Sequence, residues 1–322
     1  MESEVGSIHC IVCGKSDHKV FLHSLQDRLN QAQFRYDYIE CNGCGLISLH
    51  PFPDLETIRS FYPKSFWRTN SRKTSSQSLV GKFETWYRNR LMQKEFKRIL
   101  PYIRPGMTHL DVGCATGDFI VICKNKGLIS SGIELSLEAV QYCRKRRGLD
   151  VIEGDLIEYD FKGRKFDLIT YNGVFEHVSN PYAHLMKCRS LLNPDGLLCI
   201  TGLPNIESLG FHVARDKWLG LDYPRHLYQF TRKSLSNLLY KSGYSLVEIN
   251  FHSPRFNPPS LVASIFPGLH RHKFAEYEIA KGKNPVFRKI VLMILLKLLA
   301  PIDWILSSLG YGENLTCFAV LK

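Results

Sequence analysis

The sequence lacks a long apolar segment, and this absence excludes one class of protein. No stretch of the 322 residues reaches the roughly 20 consecutive apolar residues of a membrane-spanning helix, and the first ten residues include Glu2 and Glu4. We therefore expect no spanning helix, no secretory signal and a cytoplasmic location. Cysteine is also sparse, at ten residues, which argues against a disulfide scaffold; in a reducing compartment, closely spaced cysteines favour a metal site.

Acidic residues are few relative to basic ones. The chain has 30 Asp and Glu against 42 Lys and Arg, a formal net charge of +12. This surplus suits an acidic partner such as nucleic acid, an anionic lipid surface or a phosphorylated substrate, and charge alone does not choose among them. Much of it falls between residues 64 and 104, where eleven Lys or Arg face two Glu.

Short apolar runs alternate with helical patterns in the middle of the chain, which indicates crossover helices and a parallel sheet. The predicted strands are 108–112, 131–134, 151–153, 166–171, 197–203, 244–251 and 315–321. The predicted helices include 119–126, 138–146, 181–192 and one that begins after Thr231. Composition divides the chain into a cysteine-containing module (1–50), a basic aromatic helical connector (51–104), an α/β domain (105–251) and a helical insertion with a final strand (252–322).

A turn rich in small residues follows the first strand of this α/β domain and leads into a helix. It lies at the carboxyl end of a buried strand, where open α/β sheets bind ligands. Gly113 and Gly117 allow a ligand to approach the backbone closely, and Asp111 is placed to orient the loop or to attract a cationic ligand. Three residues separate the two glycines, unlike the Gly-x-Gly-x-x-Gly pattern of dinucleotide sites, so a ligand without a diphosphate is favoured.

Acidic residues follow the next two strands in turn. Glu134 ends the second strand, where a carboxylate can accept both hydrogen bonds of a ribose diol. Asp155 follows the third strand, where it can accept from an exocyclic adenine amine while Leu156 covers the ring. A surface role for Asp155 alone is equally compatible with its position; the order of the three elements favours an adenosine site.

At these residues the chain resembles the class I S-adenosylmethionine-dependent methyltransferase family, over residues 105–251 and the final strand. The family's glycine-rich turn matches 111–117, with Ala115 in place of the middle glycine, and segment 191–196 also matches. The resemblance implies an α/β fold with a Rossmann-like seven-stranded class I methyltransferase sheet, to which we expect this chain to add a small N-terminal zinc ribbon and a helical insertion before the last strand. The cofactor-binding residues that it implies are Asp111, Gly113, Cys114, Gly117, Glu134, Leu135, Asp155, Leu156 and Asn172.

Four of the cysteines form two knuckles, Cys10-x-x-Cys13 and Cys41-x-x-Cys44, each followed by a glycine. Two such pairs place four thiolates tetrahedrally around one zinc ion, and a closed set of four leaves no open position, so the zinc would be structural. The long interval between the knuckles predicts a ribbon whose strands include 34–39. Nearby histidines are alternative ligands. Similar modules precede the catalytic domain in deoxysugar C-methyltransferases and in many methyltransferases of bacterial surface-polysaccharide clusters.

A methyl acceptor that is a hydroxyl or a carbon acid requires a base, and two histidines are candidates. His177 follows the fourth strand, and His226 lies in a loop after the fifth. Ubiquinone-biosynthesis O-methyltransferases bind magnesium partly through a glutamate where this chain has Gly173, so we predict no magnesium. Deoxysugar C-methyltransferases carry a glutamate where this chain has Arg225, which disfavours carbon methylation. A structural role for either histidine remains an alternative.

The C-terminal tail contains an apolar helical segment with basic neighbours. From residue 271 to 297 there are seven Lys or Arg and two Glu, and residues 290–300 are apolar except for Lys297. The pattern predicts a peripheral membrane contact through 286–310, on the inner face of the membrane, or alternatively a helical cap or dimer contact.

These features predict a methyltransferase that acts on a hydroxyl, or less favourably a carbon, of a sugar-containing, lipid-linked or small-molecule metabolite. The sequence after the fourth strand lacks the Asn/Asp-Pro-Pro-aromatic motif of nucleobase amino methylases, so a nucleic-acid substrate is less favoured. Two alternatives remain: an RNA methyltransferase that holds phosphate with the basic connector, and a non-catalytic cofactor-binding or interaction protein.

Overall fold

The computed structural model describes residues 9–26, 35–62, 79–265 and 285–322. They form two β-sheets with helices packed on the larger one. The strands are β1 (His18–Gln26), β2 (Arg35–Cys41), β3 (Ile47–His50), β4 (Thr108–Val112), β5 (Ile129–Glu134), β6 (Val151–Glu153), β7 (Phe166–Asn172), β8 (Leu192–Pro204), β9 (Tyr228–Gln229), β10 (Tyr244–Asn250) and β11 (Asn314–Leu321). The helices are α1 (Leu55–Ser60), α2 (Leu79–Phe96), α3 (Asp118–Asn125), α4 (Leu137–Arg147), α5 (Pro181–Leu191), α6 (Leu209–Ala214), α7 (Arg232–Lys241), α8 (Asn257–Ile265) and α9 (Pro285–Ser308).

The larger sheet has seven strands in the order β10-β11-β8-β7-β4-β5-β6. Strands β8, β7, β4, β5 and β6 run parallel, and β11 pairs antiparallel with both β8 and β10. Along the chain, β5 and β6 are added on one side of β4, and β7 and β8 are then added on its other side. This reversal of direction opens a crevice at the carboxyl ends of β4 and β7. The predicted α/β fold with a seven-stranded sheet is confirmed, and its central strands begin and end within a few residues of the predicted bounds.

Local sequence explains where the helices begin. The side chain of Asn180 accepts a hydrogen bond from the N–H of Ala183 at the start of α5. Thr231 and Ser234 form a reciprocal capping box at the start of α7. Each cap supplies an acceptor for amides that have no partner within the helix, which contributes about 1 kcal/mol. Both capping positions are those that the sequence predicts.

The smaller sheet joins the N-terminal module to the rest of the chain. Its order is β1-β2-β3-β9, and β9 belongs to the segment that follows β8 rather than to the module. Ile47 of β3 pairs with Gln229 of β9, and Ser48 pairs with Tyr228. The predicted ribbon strand 34–39 corresponds to β2, except that residue 34 lies outside the described residues. The module therefore shares a sheet with the loop that carries His226.

Helices α8 and α9 lie between β10 and β11. Helix α9 packs against α8, and α8 packs against α6. Within the described ranges, no helix combines the length and the apolar composition that crossing a bilayer requires. Parts of two predicted regions, 63–78 of the basic connector and 266–284 of the tail, lie outside the described residues. The division of the chain into four regions stays a prediction.

Candidate active site

The turn between β4 and α3 has the backbone conformation that its glycines predict. Gly113 has φ 66° and Gly117 has φ 72°, both in the left-handed region. A Cβ at Gly113 would lie 2.7 Å from a methyl carbon of Val174, and one at Gly117 would collide with Leu149. Ala115 is also left-handed, with φ 48°. Alanine in place of the family's middle glycine therefore costs about 1–2 kcal/mol, because a residue with a Cβ is strained in this conformation.

A row of polar side chains crosses the sheet beneath this turn and holds Asp111. Asn172 Nδ2 donates to Asp111 Oδ1 at 2.9 Å, and Thr170 Oγ1 donates to the same oxygen at 2.7 Å. His109 lies 2.9 Å from Thr170 Oγ1 and 3.1 Å from the hydroxyl of Ser130. Burial lowers the pKa of His109 to about 3, so it is neutral, and burial raises the pKa of Asp111 to about 7. A cationic ligand would favour the ionised form of Asp111.

Glu134 lies at the other side of the turn with its carboxylate buried. Its Oε2 accepts from the N–H of Ala115 at 2.9 Å, and its Oε1 accepts from the N–H of Ser136 at 2.9 Å. Burial raises its pKa, although these backbone amides oppose the shift. Each carboxylate oxygen has two lone pairs, so each retains one for a hydroxyl. The fixed carboxylate therefore fits the two hydroxyls of a ribose.

The other residues predicted to bind cofactor differ in exposure. Asp155 Oδ1 accepts from the N–H of Ile157 at 2.7 Å, a local turn bond that leaves its second oxygen for a ligand. Leu156 is buried, whereas Leu135 is 61% exposed beside Glu134. Cys114 packs in the apolar core, so any ligand contact there would come from its backbone. The residue-by-residue cofactor assignment stays a prediction.

A buried carboxylate and two histidines form a second cluster next to the turn. Glu176 and His177 lie in a short 3-10 turn after β7, and His226 comes from the loop before β9. Glu176 Oε1 lies 3.8 Å from Nε2 of His177 and 3.8 Å from Nε2 of His226. Val174, which lies two residues before Glu176, contacts the position of Gly113. The Glu176/His177/His226 cluster therefore adjoins the glycine-rich turn.

The hydrogen bonds of the two histidines define where their lone pairs point. Nδ1 of His177 lies 2.9 Å from the carbonyl of Arg225, and Nδ1 of His226 lies 2.7 Å from the carbonyl of Gly220. Carbonyl oxygens only accept, so each Nδ1 carries the proton and each neutral Nε2 presents a lone pair toward Glu176. At 3.8 Å these contacts with the carboxyl are too long for hydrogen bonds.

Burial sets the protonation of this cluster. It raises the pKa of Glu176 to about 8 and lowers the pKa of His177 to about 3, and it also lowers the pKa of His226. Oε2 of Glu176 is buried and, among the described residues, has no hydrogen-bond partner. A buried carboxyl with an unsatisfied oxygen is unfavourable unless a ligand or a proton completes it.

Arg225 and Asp222 close the cluster from the side of the loop. The guanidinium donates to both oxygens of Asp222, through Nε at 3.0 Å and Nη2 at 2.7 Å. Burial raises the pKa of Asp222, but Arg225 and the neighbouring histidines outweigh burial, so the pKa lies below its usual value. Arg225 is 1% exposed and therefore shapes the loop through an internal ion pair.

Two tyrosines that are not among the site residues predicted from the sequence complete the site. Tyr62 lies 2.8 Å from Nδ1 of His177. Burial raises the pKa of Tyr62, and the carboxylates of Glu176 and Glu134 add to the effect. No local pattern identifies Tyr62, because 115 residues separate it from His177.

Tyr38 connects the cysteine module to His226. Its hydroxyl donates to the carbonyl of His226 at 2.6 Å and to that of Leu221 at 3.0 Å, and it accepts from Gln229 Nε2 at 3.3 Å. Gln229 also donates to the carbonyl of Gly220 at 3.1 Å, the group to which His226 donates. Both side chains of this network come from the smaller sheet, so that sheet holds the loop of His226.

The four predicted zinc ligands converge. The sulfur atoms of Cys10, Cys13, Cys41 and Cys44 all lie within 4.8 Å of one another, and the pairs Cys10–Cys44 and Cys13–Cys41 are 3.5 and 3.3 Å apart. Tetrahedral zinc with bonds of about 2.3 Å separates its sulfur ligands by about 3.8 Å. The arrangement therefore fits zinc after a small expansion. The predicted absence of magnesium is not tested by this geometry.

Part of the chain is similar to known methyltransferases. A family model described as a methyltransferase domain matches residues 84–249. The ubiquinone biosynthesis O-methyltransferase of Glaesserella parasuis is 32% identical over 152 residues, which cover 39% of this chain and 63% of that protein. The protein of the same name from Cereibacter sphaeroides is 28% identical, with 52% of this chain and 71% of that protein covered.

Solved structures resemble the chain over a larger part of its length. A SAM-dependent methyltransferase from Archaeoglobus fulgidus aligns with a TM-score of 0.49 at 19% identity and covers 76% of this chain and 100% of that one. Magnesium protoporphyrin IX methyltransferase from Synechocystis, solved with bound SAH, aligns with a TM-score of 0.48 at 18% identity and covers 63% of this chain and 95% of that one.

Proposed function

We propose that the chain, which belongs to the methyltransferase-domain family, uses S-adenosylmethionine to methylate an acceptor. The proposed acceptor group is a hydroxyl, or less favourably a carbon, of a sugar-containing, lipid-linked or small-molecule metabolite. The observation that supports this acceptor class is the buried Glu176/His177/His226 cluster beside the glycine-rich turn. A hydroxyl must lose a proton when it is methylated, and a cluster of buried imidazoles with free lone pairs can accept it.

The two halves of the site have separate tasks in this proposal. S-adenosylmethionine supplies an activated methyl group, so the protein contributes placement of the acceptor and removal of its proton. Glu134 accepts from the ribose hydroxyls, and the buried Asp111 faces the cationic part of the cofactor. His226 receives the proton of the acceptor at Nε2. Ionised Glu176, at 3.8 Å, then stabilises the imidazolium that forms.

The cysteine module contributes structure rather than chemistry. We assign one zinc ion to Cys10, Cys13, Cys41 and Cys44, because their sulfur atoms already lie within 4.8 Å of one another. A site closed by four thiolates has no position for a substrate. Its contribution to the reaction is to hold β2 and β3, and through Tyr38 the carbonyl of His226.

Transfer of a radiolabelled methyl group from S-adenosylmethionine into fractionated cell extract tests the acceptor class. We expect label in the glycan, lipid or small-molecule pools; label in RNA alone would contradict the proposal. In the His226→Ala variant, turnover should be lost while calorimetry shows unchanged affinity for the demethylated cofactor. His212 is a suitable control, since its Nδ1 also contacts a backbone carbonyl, that of Ser208 at 2.8 Å, but it lies on α6. Unchanged turnover in His226→Ala would reject the proposed base.

A further inference from the structure

Helix α9 exposes a continuous apolar stripe. At about 100° per residue, five aliphatic side chains spaced by three or four positions fall within an arc of about 80°. Their exposed fractions range from 47% to 66%. The N–H of the last member donates to the carbonyl four residues before it, so the helical turn continues to the end of the stripe. The members of this α9 stripe are Ile294, Leu298, Ile302, Ile305 and Leu309.

The side of α9 that faces the protein is anchored by polar contacts. Asp303 is 1% exposed, and its Oδ2 lies 3.1 Å from Nδ1 of His252. Ser307 is buried and accepts from Asn257 Nδ2 at 3.1 Å. A surface helix of a globular protein normally turns its aliphatic residues inward and its polar residues outward. Here the exposed side carries the aliphatic stripe, so a partner surface is needed to cover it.

The charge of α9 indicates the chemistry of that partner. The helix contains Arg288, Lys289 and Lys297 and one acidic residue, Asp303, which is buried. Between residues 294 and 308, where side chains are described, the exposed charge is that of Lys297. Trp304, seven residues further on and 63% exposed, lies on the same border of the stripe. Aliphatic residues bordered by tryptophan and lysine are typical of helices that lie in the headgroup region of a bilayer.

We propose that the α9 stripe docks on the surface of an anionic lipid bilayer, with Lys297 at the phosphate level. A two-fold contact between copies of the chain would bring the same cationic border against itself, whereas anionic headgroups are complementary to it. The inference goes beyond the proposed function, because it assigns a location to the protein and uses none of the site residues. Docking would place the enzyme near a lipid-linked acceptor, without requiring further contacts between the protein and the lipid part of that acceptor.

Flotation with lipid vesicles tests the docking without any measurement of turnover. The purified full chain is mixed with vesicles of phosphatidylcholine containing phosphatidylglycerol, and separately with phosphatidylcholine alone. We expect binding to the anionic vesicles that weakens as salt is added. In Leu298→Glu and Ile305→Glu, the partition coefficient should fall by a factor on the order of ten or more, because each change replaces an inserted aliphatic group by a carboxylate.

Ile129→Glu is the matched control, since Ile129 is 65% exposed, as is Leu298, but begins β5 rather than lying on α9. It should float like the unchanged protein. Affinity for the demethylated cofactor, measured by calorimetry, should be the same in all variants and shows that each one is folded. Absence of binding to anionic vesicles, or flotation unaffected by the two α9 variants, would overturn the proposal. A dimer in sedimentation that Leu298→Glu dissociates, without vesicle binding, would instead assign the stripe to contact between copies.

Discussion

Removal of one hydroxyl, in Tyr38→Phe, tests whether the cysteine module positions the proposed base. Tyr38 is fully buried, and burial raises the pKa of its hydroxyl, so it remains a donor across the accessible pH range. It donates to the carbonyls of His226 and Leu221. The carbonyl of Leu221 keeps a second donor, Gln229 Nε2 at 3.3 Å. Only the carbonyl of His226 therefore loses a bond of 2.6 Å.

A buried carbonyl left without a donor costs about 1–3 kcal/mol. We expect the free energy of unfolding of Tyr38→Phe to fall by that amount. If instead the loop moves so that the carbonyl of His226 reaches another donor, His226 is displaced. A cost of about 1–3 kcal/mol in the activation free energy then lowers kcat by between about 5-fold and about 150-fold. The value of KM for S-adenosylmethionine should change little, because the glycine-rich turn and Glu134 do not contact Tyr38.

Denaturant titration and steady-state kinetics of the same preparations measure both quantities. Tyr244→Phe is the matched control, because Tyr244 is also buried and its hydroxyl donates to a backbone carbonyl, that of Leu185 in α5 at 2.9 Å, rather than to the loop of His226. It should lose stability and keep kcat. If Tyr38→Phe loses stability but retains the kcat and pH profile of the unchanged enzyme, the module stabilises the fold without positioning His226.

Two further predictions concern proton transfer and metal. Glu176 has a pKa of about 8, so its carboxylate, which stabilises a proton on His226, is present above pH 8 and is lost as the pH falls. The transfer rate should therefore rise as pH increases through about 8, and Glu176→Gln should remove this rise; a rise that persists in the variant would contradict the role of Glu176. Elemental analysis should find one zinc ion per chain. Its removal by a chelator should lower turnover more than affinity for the demethylated cofactor, because the two cysteine knuckles adjoin the strands of the sheet that holds the loop of His226. Full turnover after complete loss of zinc would refute that connection.

Local patterns predicted most of the larger sheet. Strands such as β4 and β7 are buried along most of their length, as central strands of a parallel sheet are. Asn180 and Thr231 are helix caps by their own side-chain chemistry. The turn around Gly113 is likewise local, since a left-handed backbone and close packing require glycine there. Ala115 shows the limit of such patterns, because its left-handed backbone, with φ 48°, is seen only in the folded chain.

Local patterns did not predict the composition of the active site, because its residues come together only in the folded chain. His177 and His226 were predicted singly, but Glu176 acquires its pKa of about 8 from burial, which no sequence pattern reports. Tyr62 and Tyr38 reach the two histidines from segments more than a hundred residues away. The sequence by itself determined the α/β fold, the glycine-rich turn and the four-cysteine set, since these depend on short-range spacing and backbone preference. Only the tertiary structure decided that β9 joins the smaller sheet and that the two histidines share one buried carboxyl, because long-range pairing and loss of solvent are properties of the packed chain.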